Sequence, residues 1–175
     1  GNCLLTVAFA LKNKKPAEAL KYFDIAVQKK YNLANAYIGK AGALKFEEND
    51  EYVATLKEGL EAVPGNKTLT KLYATYYVNQ GILAQEQKNS AAEDAFKQAL
   101  EIQPNNVNAL NSLGTLLYSQ GATTLKTDAE KAKVEFKEAK EYLEKLIPLL
   151  SPSKPAQKKM IDNANTMLNF INTQL

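Results

Sequence analysis

One block of residues that recurs along the chain limits what it can fold into more than any other feature. The clearest copy is Ala92-x3-Phe96-x2-Ala99-Leu100-x3-Pro104-Asn105-Asn106. A second is Leu56-x2-Gly59-Leu60-x3-Pro64-Gly65-Asn66. Ala19-x3-Phe23-x2-Ala26-Val27 is an earlier copy, and Ala139-x3-Leu143-x2-Leu146, with Pro152 beyond it, a later one. Residues three and four apart share one face of a helix, so each block is a helix with one apolar side. Its small residue lets a second helix approach closely, and the Phe or Leu fills the space beside that contact. The Pro that follows stops the helix and turns the chain into the next unit. Breaks of this kind fall at Pro16, Pro64-Gly65, Pro104, Gly121 and Ser151-Pro152-Ser153. No strand-type alternation of Val, Ile and Thr lies between them. The pattern predicts an all-α protein built from repeated helix hairpins.

A different block precedes the recurring one. Leu110-x2-Leu113-Gly114-x2-Leu117 is its best copy, with Gly114 as the close-approach residue. Tyr37-x2-Lys40-Ala41-x2-Leu44 follows the same pattern, and Tyr76-x2-Asn79-Gln80-x2-Leu83 stands in the corresponding place of the third unit. Taken together, the two blocks resemble the first and second helices of tetratricopeptide repeats across roughly residues 1–151. That resemblance implies a right-handed α-solenoid of about four hairpins, at roughly 1–31, 32–64, 65–104 and 105–151. Residues 152–175 follow as a C-terminal capping helix.

The spacing of the large residues is 33 from Phe23 to Leu56, 40 from Leu56 to Phe96 and 47 from Phe96 to Leu143. A typical repeat of this kind is about 34 residues. The excess grows in steps of seven, close to two helical turns, so later hairpins should be taller with their apolar faces in phase. A rival frame, Ala132-x3-Phe136-x2-Ala139, also fits the fourth hairpin. Both frames fit on one long helix from about Lys126 to Leu150. This long Lys/Glu-rich hairpin, followed by one more helix, resembles a group of bacterial and often exported repeat proteins. It points to the periplasm or cell envelope, with the cytoplasm as the alternative.

Both ends of the chain are apolar on one side. Cys3-Leu4-Leu5-Thr6-Val7-Ala8-Phe9-Ala10-Leu11 reads as the first helix of the array, since the next helix otherwise lacks a partner; the tail of a signal peptide is the alternative. Ile161, Ala164, Leu168, Ile171 and Leu175 repeat at helical spacing from Lys154 to about Thr173, with Met160 and Met167 beside them. Asp162, Asn163, Asn165, Asn169 and Asn172 take the opposite face. A stack of hairpins leaves an apolar face open at its end, and a one-sided helix closes it. A membrane-surface helix would carry Lys on its polar side, where this one carries Asn.

Two absences narrow the function. The chain holds no His, and all 22 of its basic residues are Lys. It thus lacks the commonest general base and metal ligand, and the bidentate fork that reads phosphates and guanine edges. The net charge of +3 comes from Lys interspersed with 19 acidic residues, a solvated surface and not a nucleic-acid patch. No catalytic or phosphate-loop motif occurs, and no catalytic residue, cofactor or small-molecule substrate is expected. Cys3 is alone, so neither an internal disulfide nor a Cys-rich metal site can form. The acidic run Glu47-Glu48-Asn49-Asp50-Glu51 lacks the alternating ligands and the Gly of a calcium loop, and no metal site is expected. No apolar run approaches the roughly 18–20 residues that span a bilayer.

What remains is a surface for a partner. In the family that the blocks resemble, the first helices line a concave groove where a protein or peptide lies. Offsets from the frames place Asn35, Ile38 and Lys45 there from the second hairpin, and Tyr73 and Tyr77 from the third. The fourth adds Asn108, Asn111, Thr115 and Tyr118. Tyr offers a flat apolar face with a hydroxyl, and Asn a paired donor and acceptor, which suits a peptide backbone or a short helix. Each Tyr is equally suited to packing between adjacent hairpins. The expected function is a protein-interaction scaffold. The alternative is a structural adaptor of the bacterial cell envelope without a discrete peptide ligand.

Overall fold

The computed structural model of the chain describes residues 2–46 and 51–175, with the side chains of residues 45 and 46 left out. Among the described residues there are helices and no strands. The chain divides into two compact units, residues 1–76 and 77–175. The first unit holds α1 (Asn2–Leu11), α2 (Pro16–Gln28), α3 (Leu33–Phe46), α4 (Glu51–Ala62) and the first half of α5 (Lys67–Glu86). The second holds the rest of α5, then α6 (Ala91–Ile102), α7 (Val107–Thr124), α8 (Ala129–Leu146), a 3-10 turn at Ile147–Leu149, and α9 (Pro155–Gln174). Of the acidic run Glu47–Glu51, Glu51 opens α4 and the other four lie outside the described residues.

In the first unit, Leu5 and Ala8 of α1 are buried against Ala19, Phe23 and Ala26 of α2 and against Ala36 and Ala43 of α3. The apolar N-terminal stretch therefore forms a helix with a partner. Phe23 is fully buried, and its ring fills the space over Gly39 of α3, where a β-carbon would have no room. A second cluster joins Tyr37, Ala41 and Leu44 of α3, Tyr52 and Leu56 of α4, and Leu69 of α5. Burying a Phe or Leu of this kind is worth about 1.5–3 kcal/mol relative to exposure. At the turn into α5, Gly65 takes φ +75°, a left-handed conformation that glycine adopts without strain. The side-chain oxygen of Asn66 then accepts the Leu69 N–H at 3.0 Å and starts the helix.

The second unit is organised by small residues of α5 and α7 that face large ones of α6 and α8. A β-carbon on Gly81 would lie 2.5 Å from the Phe96 ring, and one on Gly121 2.7 Å from the Phe136 ring. Two turns along the same hairpin, a β-carbon on Gly114 would meet Leu143 at 2.9 Å. Three sequence expectations change on this evidence. In the third hairpin the close-approach residue is Gly81, one position beyond Gln80; Asn79, Gln80 and Leu83 are exposed. In the fourth, the Phe136 and Leu143 frames coexist as two levels of one hairpin. The spacing from Phe96 to the equivalent ring, Phe136, is thus a second 40 rather than 47. Gly121, expected to be a break, sits inside α7 for the same reason.

Caps set the ends of the last hairpin. Asn106 accepts the Ala109 N–H at 3.0 Å to begin α7. Asp128 accepts the Lys131 N–H at 3.0 Å, so α8 begins at Ala129 and not near Lys126. Helix α9 buries Ala164, Leu168 and Ile171 in the core shared with α7 and α8. Asp162, Asn163, Asn165, Asn169 and Asn172 lie exposed, and the Lys140 ammonium donates to Asn172 at 2.8 Å. Leu175, placed by its spacing on the apolar side, is 47% exposed at the chain end.

Candidate functional site

In the first unit the expected partner-binding residues separate into two kinds. Asn35 is exposed on the first turn of α3, and its backbone N–H donates to the Asn32 side chain at 3.4 Å. Ile38 and Tyr73 are half-buried and pack on the cluster around Tyr37, Leu44 and Leu56. The side chain of Lys45 lies outside the described residues. Further along α3, Lys40 pairs with Asp24 of α2 at 2.8 Å. Burial pulls the Lys40 ammonium down, but the hydrogen bond and charge of Asp24, with Glu58 and Glu51 behind, outweigh it and hold the group above its ordinary value.

In the second unit α7 is the element that presents a polar surface. Its apolar side, Leu110, Leu113 and Leu117, is buried. Opposite lie Asn108, exposed, and Asn111 and Thr115, half-exposed. Tyr118 does not continue that stripe as an open side chain. Its ring packs on Phe136 of α8 at 6.1 Å and edge-on to Phe170 of α9 at 5.7 Å, and the two Phe rings are 5.9 Å apart. The reason is α9, which covers the flank of α7 where Tyr118 emerges. Tyr77 is half-buried against the core of this unit. The tyrosines expected to face a partner thus serve packing to a large extent, and the Asn and Thr positions stay open.

A cleft that the sequence frames missed runs along the other flank of α7. It has a volume of about 1020 Å³. Leu116, Ser119, Gln120, Thr123 and Thr124 of α7 form its floor, spaced three and four apart on one helix face. Glu93 of α6 and Lys131 and Glu135 of α8 form its sides, with Lys88 from the α5–α6 turn at the rim. The cause is a difference in length, since α6 has 12 residues where α7 and α8 have 18 each. The run of polar residues Ser119, Gln120, Thr123 and Thr124 at helical spacing was the signal available in the sequence.

The charges around the cleft are not equivalent. Glu93 is committed to Lys97, at 2.6 Å, and Lys97 also approaches Glu138 at 3.8 Å. The Glu93 hydrogen bond is the main reason that the Lys97 ammonium stands above its ordinary value, against a smaller opposing effect of burial. Glu135 is half-buried, and one of its carboxylate oxygens has neither solvent contact nor a hydrogen-bond partner among the described residues. A smaller hollow of about 300 Å³ between Lys97, Leu100, Pro104 and Tyr142 uses the same, already paired, lysine. Among the described residues no group of acidic or Cys side chains is placed to hold a metal, and no helix is long and apolar enough to cross a membrane.

Comparison with known proteins matches the geometry. Residues 82–121, covering the end of α5, all of α6 and most of α7, match the family profile of the TPR repeat. The crystal structure of a TPR repeats protein from Bacteroides fragilis is 40% identical over 93% of this chain and 83% of its own, with a TM-score of 0.69. The crystal structure of YrrB, described as a TPR protein with an unusual peptide-binding site, is 18% identical over 98% of this chain and 91% of its own, with a TM-score of 0.43. No curated protein matches the chain.

Proposed function

Because the chain belongs to the tetratricopeptide repeat family, we propose that it is a protein-interaction scaffold that holds an extended segment of a partner protein against α7. The observation that carries this reading is the division of α7. Its apolar side is locked into the core, while Asn108, exposed, and Asn111 and Thr115, half-exposed, stand in one row. An Asn amide pairs a donor with an acceptor at the spacing that a peptide group offers, so such a row suits a backbone better than an apolar helix face. In the first unit Asn35 supplies the same chemistry on α3.

A photo-crosslinking amino acid at position 111, compared with one at Asn163 on the exposed face of α9, tests this in an extract of the native host. Adducts formed from position 111 and not from 163 are the expected result. Equal adducts from both, or none from 111, would remove α7 as the binding surface. The resemblance of the long last hairpin to exported repeat proteins also favours placing the scaffold in the bacterial cell envelope. Recovery of the protein in the cytoplasmic fraction of the host would overturn that placement.

A further inference from the structure

We infer that the cleft beside α7 is a receptor for a basic side chain, an arginine of the partner, whose cation is met by Glu135. The inference rests on the scaffold reading and adds a second recognition site to the Asn108–Asn111–Thr115 row. Two hydroxyl groups of the cleft floor have already spent their protons. Ser119 donates to the Thr115 carbonyl at 2.9 Å, and Thr123 donates to the Ser119 carbonyl at 2.9 Å. Both oxygens therefore present lone pairs, and the carboxylates add more acceptors. Together with the Glu135 carboxylate, these lone pairs favour a donor-rich ligand.

Burial decides the sign of the charge. Lys88 and Lys131 are exposed, so water and salt screen them, and among the described residues neither makes an ion pair with Glu135. Glu93 is neutralised by Lys97. Glu135 is left as the partly buried, uncompensated charge, and among the described residues it makes no ion pair. Glu135 lines the cleft, and its second carboxylate oxygen, the one not enclosed, is free to accept from an incoming donor. A guanidinium carries five donors in one plane and meets a carboxylate and neighbouring hydroxyl oxygens together, which a single ammonium does less well. Leu116 gives the aliphatic stem of the ligand an apolar wall.

The test is a titration of the whole ¹⁵N-labelled chain with N-acetyl-arginine amide, a cation without free termini, and separately with N-acetylglycinate, an anion. Expected are amide shifts at residues 116–124 and 131–135 with the cation, small shifts at Asn108 and Asn111, and apparent affinity at least about fivefold weaker in Glu135→Gln. The spectrum itself reports whether the variant is folded, and Thr123→Val, which keeps all charges, should weaken the cation to a smaller degree. Shifts in the cleft with the anion but not the cation would overturn the proposal, as would equal cation binding by Glu135→Gln. These arms read the cleft alone, so crosslinking at position 111 can fail while the cleft binds, or the reverse.

Discussion

Lys88 shows how a single backbone angle can be out of step with its side chain. It follows α5 with φ 54°, a left-handed conformation that a β-carbon makes costly. The turn needs it, because the next residue, Asn89, sends its N–H back to the Ala84 carbonyl at 2.8 Å and closes the helix end. A glycine does this without the steric cost. Lys88→Gly should therefore raise stability by about 0.5–1 kcal/mol, read as a higher denaturant midpoint with an unchanged slope. A loss of stability would mean that the Lys88 stem contributes packing that the exposed position does not suggest. Lys40 illustrates a different residue-scale effect. Its ammonium is raised by Asp24, so the stabilisation from that pair is complete below about pH 10.5 and fades as the pH climbs through the raised value.

At the scale of the helix, small residues set the pairing more firmly than the large ones do. The recurring Phe and Leu positions were legible because their spacing follows helix geometry. Their partners were harder to place, since Gly and Ala are individually uninformative. Gly81 and Gln80 are neighbours, and only the presence of the Phe96 ring shows which one is the contact. In the last hairpin, Phe136 and Leu143 are seven residues apart and each has its own glycine, so both frames hold on one helix, as their spacing allowed. Gly121 is the sharper case, with Phe136 fully buried and held on its far side by Phe170. Gly121→Ala gains helix propensity of about 1 kcal/mol. It also forces a rigid, enclosed ring to move, and overpacking of this kind costs about 1–3 kcal/mol. Chemical denaturation should show a net loss, whereas the propensity gain alone would give a more stable protein.

At the scale of the whole molecule, the fold was legible, and the exposure of the residues expected to face a partner was legible only in part. Burial of helix faces leaves a periodic trace, and α9 was recognisable as a one-sided helix for that reason. Tyr118 left no such trace. Its position on α7 resembles that of an open groove residue, and only the approach of Phe170 from α9, 52 residues later, turns it into packing. The cleft was illegible for a related reason, being the product of unequal helix lengths and not of a motif. Helix α9 therefore does two things: it closes the core with Ala164, Leu168 and Ile171, and it screens Tyr118 and Phe136 with Phe170. Deleting residues 154–175 should uncover Leu143, Leu146 and the aromatic pair as one apolar patch on α7 and α8. Exposed patches of this size drive association, so the shortened chain should dimerise or aggregate at micromolar concentration, with a lower melting temperature. Light scattering after size exclusion, run beside the full chain, measures this directly. A monomeric product with unchanged melting would show that the last hairpin is complete in itself. It would also free Tyr118 to be tested again as a partner-facing side chain.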